Sequence, residues 1–414
     1  MTSARDVVVT GLGATTPLGG DVPSTWDAAL AGRSGARTLD NDWAERYEIP
    51  VNFAATIKVK PEDVLPRPEI KRMDPSAQYA IIAAREAWSD AGAPEVDGDR
   101  LGAVVSSGIG GVWTLLDGWD TLRERGARRM LPMTVPMLMP NSPAAFVSLE
   151  FGARAGAHAL VSACASGAEA IGYGADMIRT GRADVVICGG TEATIHPMPI
   201  AAFAASRTLS LRNDDPEGAS RPYDIDRDGF VVGEGAAVVV LESAEHAAAR
   251  GARVYAKLAG VGLSADAYHI TSPDPEGRGQ VAAMGRALED AGVTPADVVH
   301  VNAHATSTKV GDLTETRSIR TLLGDDADHV LLSATKSMTG HLLGGAGALE
   351  TVFTVKAVHE RLAPPTINVA NPDPELQVPL VRGEPAKLPG GDVAAINNSF
   401  GFGGHNVALV VTNA

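Results

Sequence analysis

The segment Ala159-Leu-Val-Ser-Ala-Cys164-Ala-Ser-Gly-Ala-Glu-Ala-Ile171 passes from an apolar stretch into a helix that is rich in small residues. A related triplet, Ser333-Ala-Thr335, occupies the same kind of junction in the second half of the chain. Strands that alternate with helices in this way are typical of α/β proteins. The recurrence predicts that one α/β unit occurs twice along the chain.

Three further pairs of short segments recur in the same order. They are Gly11-Leu-Gly13 with Gly260-Val-Gly262, Ser89-Asp-Ala-Gly92 with Glu289-Asp-Ala-Gly292, and Phe230-Val-Val-Gly233 with Phe400-Gly-Phe-Gly403. We therefore predict two α/β halves, 1–253 and 254–414. The first half carries extra sequence at about 20–75 and 112–150, and insertions of this kind usually form caps, gates or partner contacts.

Composition excludes several classes of protein. Lys and Arg number 35 against 50 Asp and Glu in the 414 residues, and the net charge of −15 opposes general binding to nucleic acid. The first twenty residues lack the pattern of a secretory signal, and no apolar run reaches the roughly 18 residues of a membrane span. Two cysteines cannot form a disulfide framework or a zinc cluster. These features predict a cytoplasmic protein that does not bind membranes.

Cys164 is the candidate nucleophile. Its position at the start of a helix places the thiol near unpaired N–H groups and the positive end of the helix dipole, which favour the thiolate. Small neighbours leave room for a substrate carbonyl, as at a nucleophile elbow. The alternative is a buried structural cysteine, and Cys188 within an apolar strand fits that alternative better.

Two histidines at strand exits are candidate partners for the thiol. They are His304 in Asn302-Ala-His-Ala-Thr-Ser-Thr and His341 in Thr335-Lys-Ser-Met-Thr-Gly-His. A structural role remains the alternative for each histidine. His300 shares a strand face with His304, but a third ligand for a metal is lacking at a useful spacing. Lys336 would need a carboxylate if buried, and Glu350, which we place in the same helical stretch as Lys336, could supply it.

Two other segments invite a functional or a structural interpretation. The glycine-rich run from Asn397 to Asn406 could bring backbone N–H groups close to a substrate, or it could be a tight turn that carries a core phenylalanine. Asp312 and Glu315 stand where acidic residues cap the start of a helix, and we predict capping for both.

Together these segments resemble the beta-ketoacyl-acyl carrier protein synthases of the thiolase superfamily, in particular the synthase II group that elongates chains in dissociated fatty acid synthesis. The resemblance extends from Val7 to the C-terminus, and its motifs occur in the family's order. It implies a duplicated five-layer αβαβα fold, a homodimer, and one catalytic centre where the two halves meet.

The resemblance also implies an acyltransferase mechanism. Cys164 would take the acyl chain from a carrier thioester, with the N–H groups of Cys164 and Phe400 as the oxyanion hole. His304 and His341 would stabilise the enolate that malonyl decarboxylation leaves, while Lys336, supported by Glu350, orders the site. No metal or organic cofactor is implied, since phosphopantetheine arrives on the acyl carrier protein.

The family further implies substrate and docking residues. Those expected to bind or gate the substrate are Ile109, Phe203, Asp266, Thr306, Thr308, Gly401, Phe402 and Gly403. An acidic carrier needs a basic patch on this acidic chain. The candidates for that patch are Lys71, Arg72, Arg128, Arg129 and Arg207.

Two departures from the family pattern keep a second pathway open. Lys309 replaces a common proline, and the run Ser206-Arg-Thr-Leu-Ser-Leu211 differs from the usual methionine-rich run. The alternative function is therefore a ketosynthase of a type II polyketide or polyene pathway, in a heterodimer with a chain-length factor. A degradative thiolase would need a second cysteine near the C-terminus, and a chain-length subunit would lack the nucleophile.

Overall fold

A computed structural model describes residues 5–414, so the first four residues of the predicted N-terminal half lie outside the described residues. The strands are β1 (Val7–Thr15), β2 (Ala36–Thr38), β3 (Phe53–Ala55), β4 (Leu101–Ser106), β5 (Gly156–His158), β6 (Val185–Glu192), β7 (Gly235–Ser243), β8 (Ala256–Ala265), β9 (Val298–Asn302), β10 (Leu331–Ser333), β11 (Leu362–Ala363), β12 (Ala386–Lys387), β13 (Ala394–Gly401) and β14 (His405–Thr412). The helices are α1 (Val22–Leu30), α2 (Trp43–Arg46), α3 (Pro61–Val64), α4 (Arg67–Ile70), α5 (Pro75–Asp90), α6 (Val112–Arg125), α7 (Thr134–Leu138), α8 (Ser142–Phe151), α9 (Ser166–Arg179), α10 (Pro197–Ala205), α11 (Ala244–Ala249), α12 (Arg278–Ala291), α13 (Lys309–Leu323), α14 (Lys336–Thr339) and α15 (Ala346–Glu360).

The order of the strands shows the duplication. A ten-stranded mixed sheet runs β10-β9-β13-β14-β8-β1-β7-β6-β4-β5. From its two edges inward, β5-β4-β6-β7-β1 and β10-β9-β13-β14-β8 have the same sequence of parallel and antiparallel pairings. Within the sheet, the two halves are joined where Val8 and Val9 of β1 pair with Lys257 and Ala256 of β8.

Helices cover and separate the two halves of the sheet. α5 packs on β1 and β7, and α12 packs on β8 and β14, which forms the two outer layers. α9 and α15 contact each other and strands of both halves, so they form the central layer. The predicted duplicated α/β fold with five αβαβα layers is confirmed.

The repeated glycine pairs explain how the outer helices approach so closely. A Cβ atom at Gly13 would lie 2.0 Å from the carbonyl oxygen of Ala83 in α5. In the second half, a Cβ atom at Gly262 would lie 1.9 Å from the carbonyl oxygen of Ala283 in α12. Only glycine permits these contacts between a strand and a helix backbone, and this requirement is one physical reason that the motif recurs.

The predicted elements differ from the observed ones mainly at their ends. The spacing of apolar residues in the sequence predicts helices at 78–91 and 281–291 and a strand at 298–302. The strand is as predicted, and the helices begin three residues earlier, at Pro75 and Arg278. The prediction that the apolar stretch before Cys164 forms a strand is wrong, because the edge strand β5 already ends at His158. Cys164 then lies in a 3₁₀ turn, Ala163–Ala165, directly before α9.

The two predicted insertions lie outside the repeated sheet. The segment 20–75 forms α1 to α4 with the small β2–β3 sheet, and the segment 112–150 forms α6 to α8. The second insertion exposes large apolar side chains, among them Trp119 (60% exposed), Leu131 (62%) and Val135 (62%). Within residues 5–414, no helix is long and apolar enough to cross a membrane.

Candidate active site

One cavity of about 700 Å³ brings together residues from both halves of the chain. Cys164 from the first half and His304 and His341 from the second half line it. Other predicted site residues in its wall are Ile109, Phe203, Arg207, Asp266, Thr306, Thr308, Phe400, Gly401 and Phe402. Lys336 and Glu350 are buried behind this wall. The grouping that was predicted from sequence is therefore present in three dimensions.

Cys164 is held in a strained turn. The preceding residue, Ala163, has a φ of +51°, a left-handed conformation that residues with a Cβ atom seldom adopt. Cys164 is 8% exposed and packs with Phe230 and Leu343 in one apolar cluster, while it still lines the cavity. The turn directs the thiol to the cavity from the N-terminal end of α9, as expected for a nucleophile elbow.

The resting state of the thiol differs from the sequence-based expectation. Burial raises the pKa of Cys164 to about 11, although the Lys336 charge and the backbone N–H of Phe402 lower it. The helix end was expected to favour the thiolate, but desolvation outweighs it. Cys164 is therefore a thiol at neutral pH, and its proton must leave as the sulfur attacks.

The backbone N–H of Phe402 lowers the pKa of the Cys164 thiol, and Phe402 lines the cavity together with Cys164. Phe400 lies in β13 opposite Asn406, and its ring is 5.8 Å from the ring of His304 between centroids. Phe400 therefore belongs to the wall, its role in the oxyanion hole stays a prediction, and Phe402 is a further candidate for that role. The Phe-Gly-Phe repeat made the two residues difficult to distinguish in sequence.

Two backbone hydrogen bonds join the loops that were expected to gate the cavity. Gly403 N–H donates to the carbonyl of Ile270 at 2.7 Å, and Asp266 N–H donates to the carbonyl of Gly404 at 2.9 Å. The side chain of Asp266 also accepts from the Asn406 amide at 2.7 Å. Gly403 does not itself line the cavity. Movement of these loops as a gate stays a prediction.

The two histidines face each other. Their ring centroids are 5.4 Å apart, and their planes are nearly perpendicular. Burial, and secondarily the charge of Lys336, hold the pKa of His304 and of His341 well below the usual range. Both rings are therefore neutral at pH 7, and each can donate one N–H to an oxygen in the cavity.

Lys336 fixes the proton on one of these rings. Its Nζ lies 3.5 Å from Nδ1 of His304 and forms a salt bridge with Glu350, both side chains being almost fully buried. An ammonium group only donates, so Nδ1 of His304 accepts and the ring proton resides on Nε2. Burial raises the pKa of Glu350, and Lys336 opposes that shift. Glu350 belongs to α15 and not to the short helix α14 that carries Lys336, which corrects the prediction of one helical stretch.

Asp312 and Glu315 are anchors, and the prediction of two helix caps was incomplete. Asp312 accepts from the N–H groups of Ser307 and Thr308 near the start of α13, and it also accepts from Tyr223 N–H. Glu315 accepts at 2.8 Å from the N–H groups of His304 and Ala305, and at 3.0 Å from the Asn398 side chain. Glu315 thus holds the loop that presents His304, and its spacing from Asp312 alone did not reveal this.

The predicted docking residues are on the surface. Lys71, Arg72, Arg128, Arg129 and Arg207 are all exposed. In the part of the chain that the structure describes, none of them forms a salt bridge. Their charges are therefore available to an acidic partner, and Arg207 is in addition at the cavity itself.

The structure offers no candidate metal site among residues 5–414, where no group of three or more His, Cys, Asp or Glu could hold an ion. His300 is fully buried in β9, and its Nδ1 lies 2.8 Å from the carbonyl oxygen of Leu331. His300 therefore packs in the interior of the second half, and it does not line the cavity.

Comparisons with known proteins identify the family to which this chain is similar. The family model "Beta-ketoacyl synthase, N-terminal domain" matches residues 4–247, and "Beta-ketoacyl synthase, C-terminal domain" matches residues 255–370. Proteins named 3-oxoacyl-[acyl-carrier-protein] synthase 2 are 46% identical, both in Mycobacterium tuberculosis (97% of this chain, 96% of the relative) and in Staphylococcus aureus (99% of each).

Similar solved structures share the fold over 99% of this chain and the whole of theirs. A beta-ketoacyl synthase from Burkholderia phymatum has a TM-score of 0.90 at 34% identity. A type II polyketide synthase acyl-carrier protein in complex with its ketosynthase, bound to the hexaketide, has a TM-score of 0.92 at 30% identity.

Proposed function

The chain belongs to the beta-ketoacyl synthase family, and we propose that it extends a carrier-bound acyl chain by condensation with malonyl-acyl carrier protein. The product is a 3-ketoacyl-acyl carrier protein two carbons longer, as in fatty acid elongation. The observation that carries this proposal is the single cavity whose wall holds both a cysteine at a helix start and two neutral histidines.

The first half-reaction transfers the acyl chain to the enzyme. The sulfur of Cys164 attacks the thioester carbonyl, and the N–H groups of Cys164 and Phe402 stabilise the oxyanion. When the tetrahedral intermediate collapses, the bond to the phosphopantetheine sulfur breaks and the Cys164 proton ends on that leaving thiol. The apolar wall formed by Ile109, Phe203 and Leu343 suits the acyl chain that remains.

The second half-reaction begins with malonyl-acyl carrier protein. His304 and His341 donate N–H groups to the thioester oxygen, and carbon dioxide leaves with cleavage of the carbon–carbon bond. The electron pair stays on the substrate as an enolate, whose negative oxygen these two N–H groups stabilise. Because decarboxylation supplies the carbanion, this route needs no metal or organic cofactor. Lys336 keeps the ring proton of His304 on Nε2.

Condensation completes the cycle. The enolate carbon attacks the acyl carbonyl on Cys164, and the same oxyanion hole stabilises the new tetrahedral intermediate. Collapse of this intermediate forms the ketone, expels the sulfur of Cys164 and regenerates the thiol on proton uptake. One carbon–carbon bond forms for each carbon dioxide released, so atoms and electrons balance without an oxidant or reductant.

The relatives favour fatty acid elongation over the polyketide alternative. The identity is 46% to the synthase 2 proteins and 30% to the type II polyketide ketosynthase. A chain-length subunit is disfavoured because Cys164, both histidines and Lys336 are present together. The thiolase alternative lacks its second cysteine, since Cys188 lies in β6 of the first half.

Two partners follow from this function. The acyl carrier protein would dock where the exposed Lys71, Arg72 and Arg207 offer unpaired positive charge. A second copy of the chain would cover the exposed apolar side chains of the 112–150 insertion, and we propose a homodimer. The solved relatives include a ketosynthase/chain length factor, at 32% identity, which is the heterodimeric counterpart.

A reconstituted assay tests the reaction. Purified protein with an acyl-acyl carrier protein and malonyl-acyl carrier protein should release carbon dioxide and yield a 3-ketoacyl carrier that is longer by two carbons, as seen by mass spectrometry of the intact carrier. Omission of the acyl carrier should stop product formation. Failure to acylate the protein and to form product, with carriers that a related synthase accepts, would disprove the function.

Reversal of charge at the docking surface should weaken carrier binding. We expect Lys71→Glu with Arg72→Glu to lower affinity for the acidic carrier about tenfold at low salt, and less at high salt because ions screen the attraction. Calorimetric titration measures the change. The exposed pair Arg382→Glu with Lys387→Glu makes the same change of charge elsewhere and serves as the control. If the two double variants bind the carrier with equal affinity, Lys71 and Arg72 do not belong to the docking surface.

A further inference from the structure

Glu192 is a buried carboxylate at the cavity to which the proposed reaction assigns no step. It ends β6, is 0% exposed, and contributes to the cavity wall beside Cys164. An isolated buried charge is costly, so its retention requires compensating hydrogen bonds. The partners of Glu192 come from two turns that both border the cavity.

Four donors converge on the two carboxylate oxygens. Oε1 accepts from the Ser107 hydroxyl at 2.6 Å and from Ile109 N–H at 3.4 Å. Oε2 accepts from Gly108 N–H at 2.9 Å and from Gly344 N–H at 3.0 Å. Ser107 also accepts from Gly110 N–H at 2.8 Å, so this hydroxyl links the carboxylate of Glu192 to the turn that follows β4.

These contacts connect the two halves of the molecule. Ser107, Gly108 and Ile109 follow β4 of the first half, whereas Gly344 lies in the 3₁₀ turn Leu343–Gly345 of the second half. A Cβ atom at either Gly108 or Gly344 would lie 2.8 Å from Oε2, so both glycines permit the approach of the carboxylate. Ile109 and Leu343 line the cavity next to these hydrogen bonds.

We propose that Glu192 is a positioning residue that holds the 107–109 turn against the 343–345 turn and thereby sets the shape of the acyl-binding wall. This inference rests on the proposed function, because it assumes that the wall of Ile109 and Leu343 receives the acyl chain. Leu343 has a φ of +47°, so its turn is strained and depends on its neighbours.

The requirement for a carboxylate gives a selective test. In Glu192→Gln the amide nitrogen must face at least one pair of donors, because each oxygen now accepts from two hydrogens. We expect kcat/KM for self-acylation with long acyl carriers of about 14 carbons to fall roughly tenfold, mainly through KM, the scale of one lost charged hydrogen bond. The kcat/KM for self-acylation with acetyl-carrier should change less than about twofold, because the acetyl group contacts little of the wall.

Glu86→Gln is the matched control. Glu86 also accepts from two backbone N–H groups, those of Ala14 and Val22, each at 2.7 Å, but it does not line the cavity. The variant Glu86→Gln should keep the wild-type ratio of kcat/KM for long-chain carriers to kcat/KM for acetyl-carrier. Ser107→Ala removes one donor from Glu192 and should lower the ratio in the same direction by a smaller factor, so it decides the matter if Glu192→Gln does not fold.

The outcomes separate this inference from the proposed function. If the wild-type chain transfers no acyl group to Cys164, the proposed function fails. The positioning role is overturned if the wild-type chain is active and the folded variants Glu192→Gln and Ser107→Ala keep the wild-type ratio of kcat/KM for long-chain carriers to kcat/KM for acetyl-carrier. An equal loss for long-chain and acetyl substrates would also overturn it, because a general structural defect does not depend on chain length.

Discussion

Cys164→Ala is expected to abolish self-acylation and to lower condensation by about 10⁴-fold, because Cys164 supplies the thiol at the cavity and Cys188 does not line it. Cys164 lines the cavity from the 3₁₀ turn directly before α9. Mass spectrometry of the intact protein after incubation with an acyl carrier measures the adduct directly.

Cys188→Ala is the matched control for this experiment. Cys188 is also fully buried, but it lies in β6 with its sulfur 3.8 Å from the Val239 carbonyl oxygen, and burial raises the pKa of its thiol strongly. The variant should acylate at the wild-type rate. An acyl adduct that persists in Cys164→Ala, or one that disappears in Cys188→Ala, would contradict the assignment of the nucleophile.

His304→Ala should separate the two half-reactions. The acyl chain can still be transferred to Cys164, since its oxyanion hole consists of backbone N–H groups. Condensation should fall by about 100-fold or more, the usual cost of removing one donor from a developing oxyanion. The assay compares the rate of acyl-enzyme formation with the rate at which malonyl carrier discharges the pre-formed acyl-enzyme.

The control for the histidine variant lies outside the cavity. His359 is exposed, its Nδ1 lies 3.1 Å from the Tyr255 carbonyl oxygen, and His359→Ala should leave both half-reactions intact. His341→Ala should behave like His304→Ala, because the two rings face the same space. If the folded His304 variant loses self-acylation as well as condensation, the assignment of His304 to the condensation step alone is wrong.

Much of the candidate site was accessible from the sequence because its chemistry is local. Cys164 stands before a helix of small residues, and each histidine follows a short strand, so position in the chain already indicated function. The repeated glycines on β1 and β8 likewise mark contacts between a strand and the next long helix packed on it.

Residues that act through distant partners were not accessible in this way. Glu192 meets Gly344, which is 152 positions away, and neither residue is unusual by itself. Arg227 is similar, for its buried guanidinium donates to the carbonyls of Thr308 and Lys309 and contacts the carboxylate of Asp312. The pairing of such groups depends on how the two halves pack.

The amino-acid sequence predicts the duplicated α/β fold and singles out Cys164, His304, His341 and Lys336, because each leaves a short-range pattern of glycines, small residues or strand ends. Packing between distant segments raises the pKa of the Cys164 thiol by burial, and it brings Glu315 and Glu192 to the loops that they anchor. Hydrogen bonding and desolvation depend on distances between atoms that are far apart in the chain, and a pattern of neighbouring residues does not contain those distances.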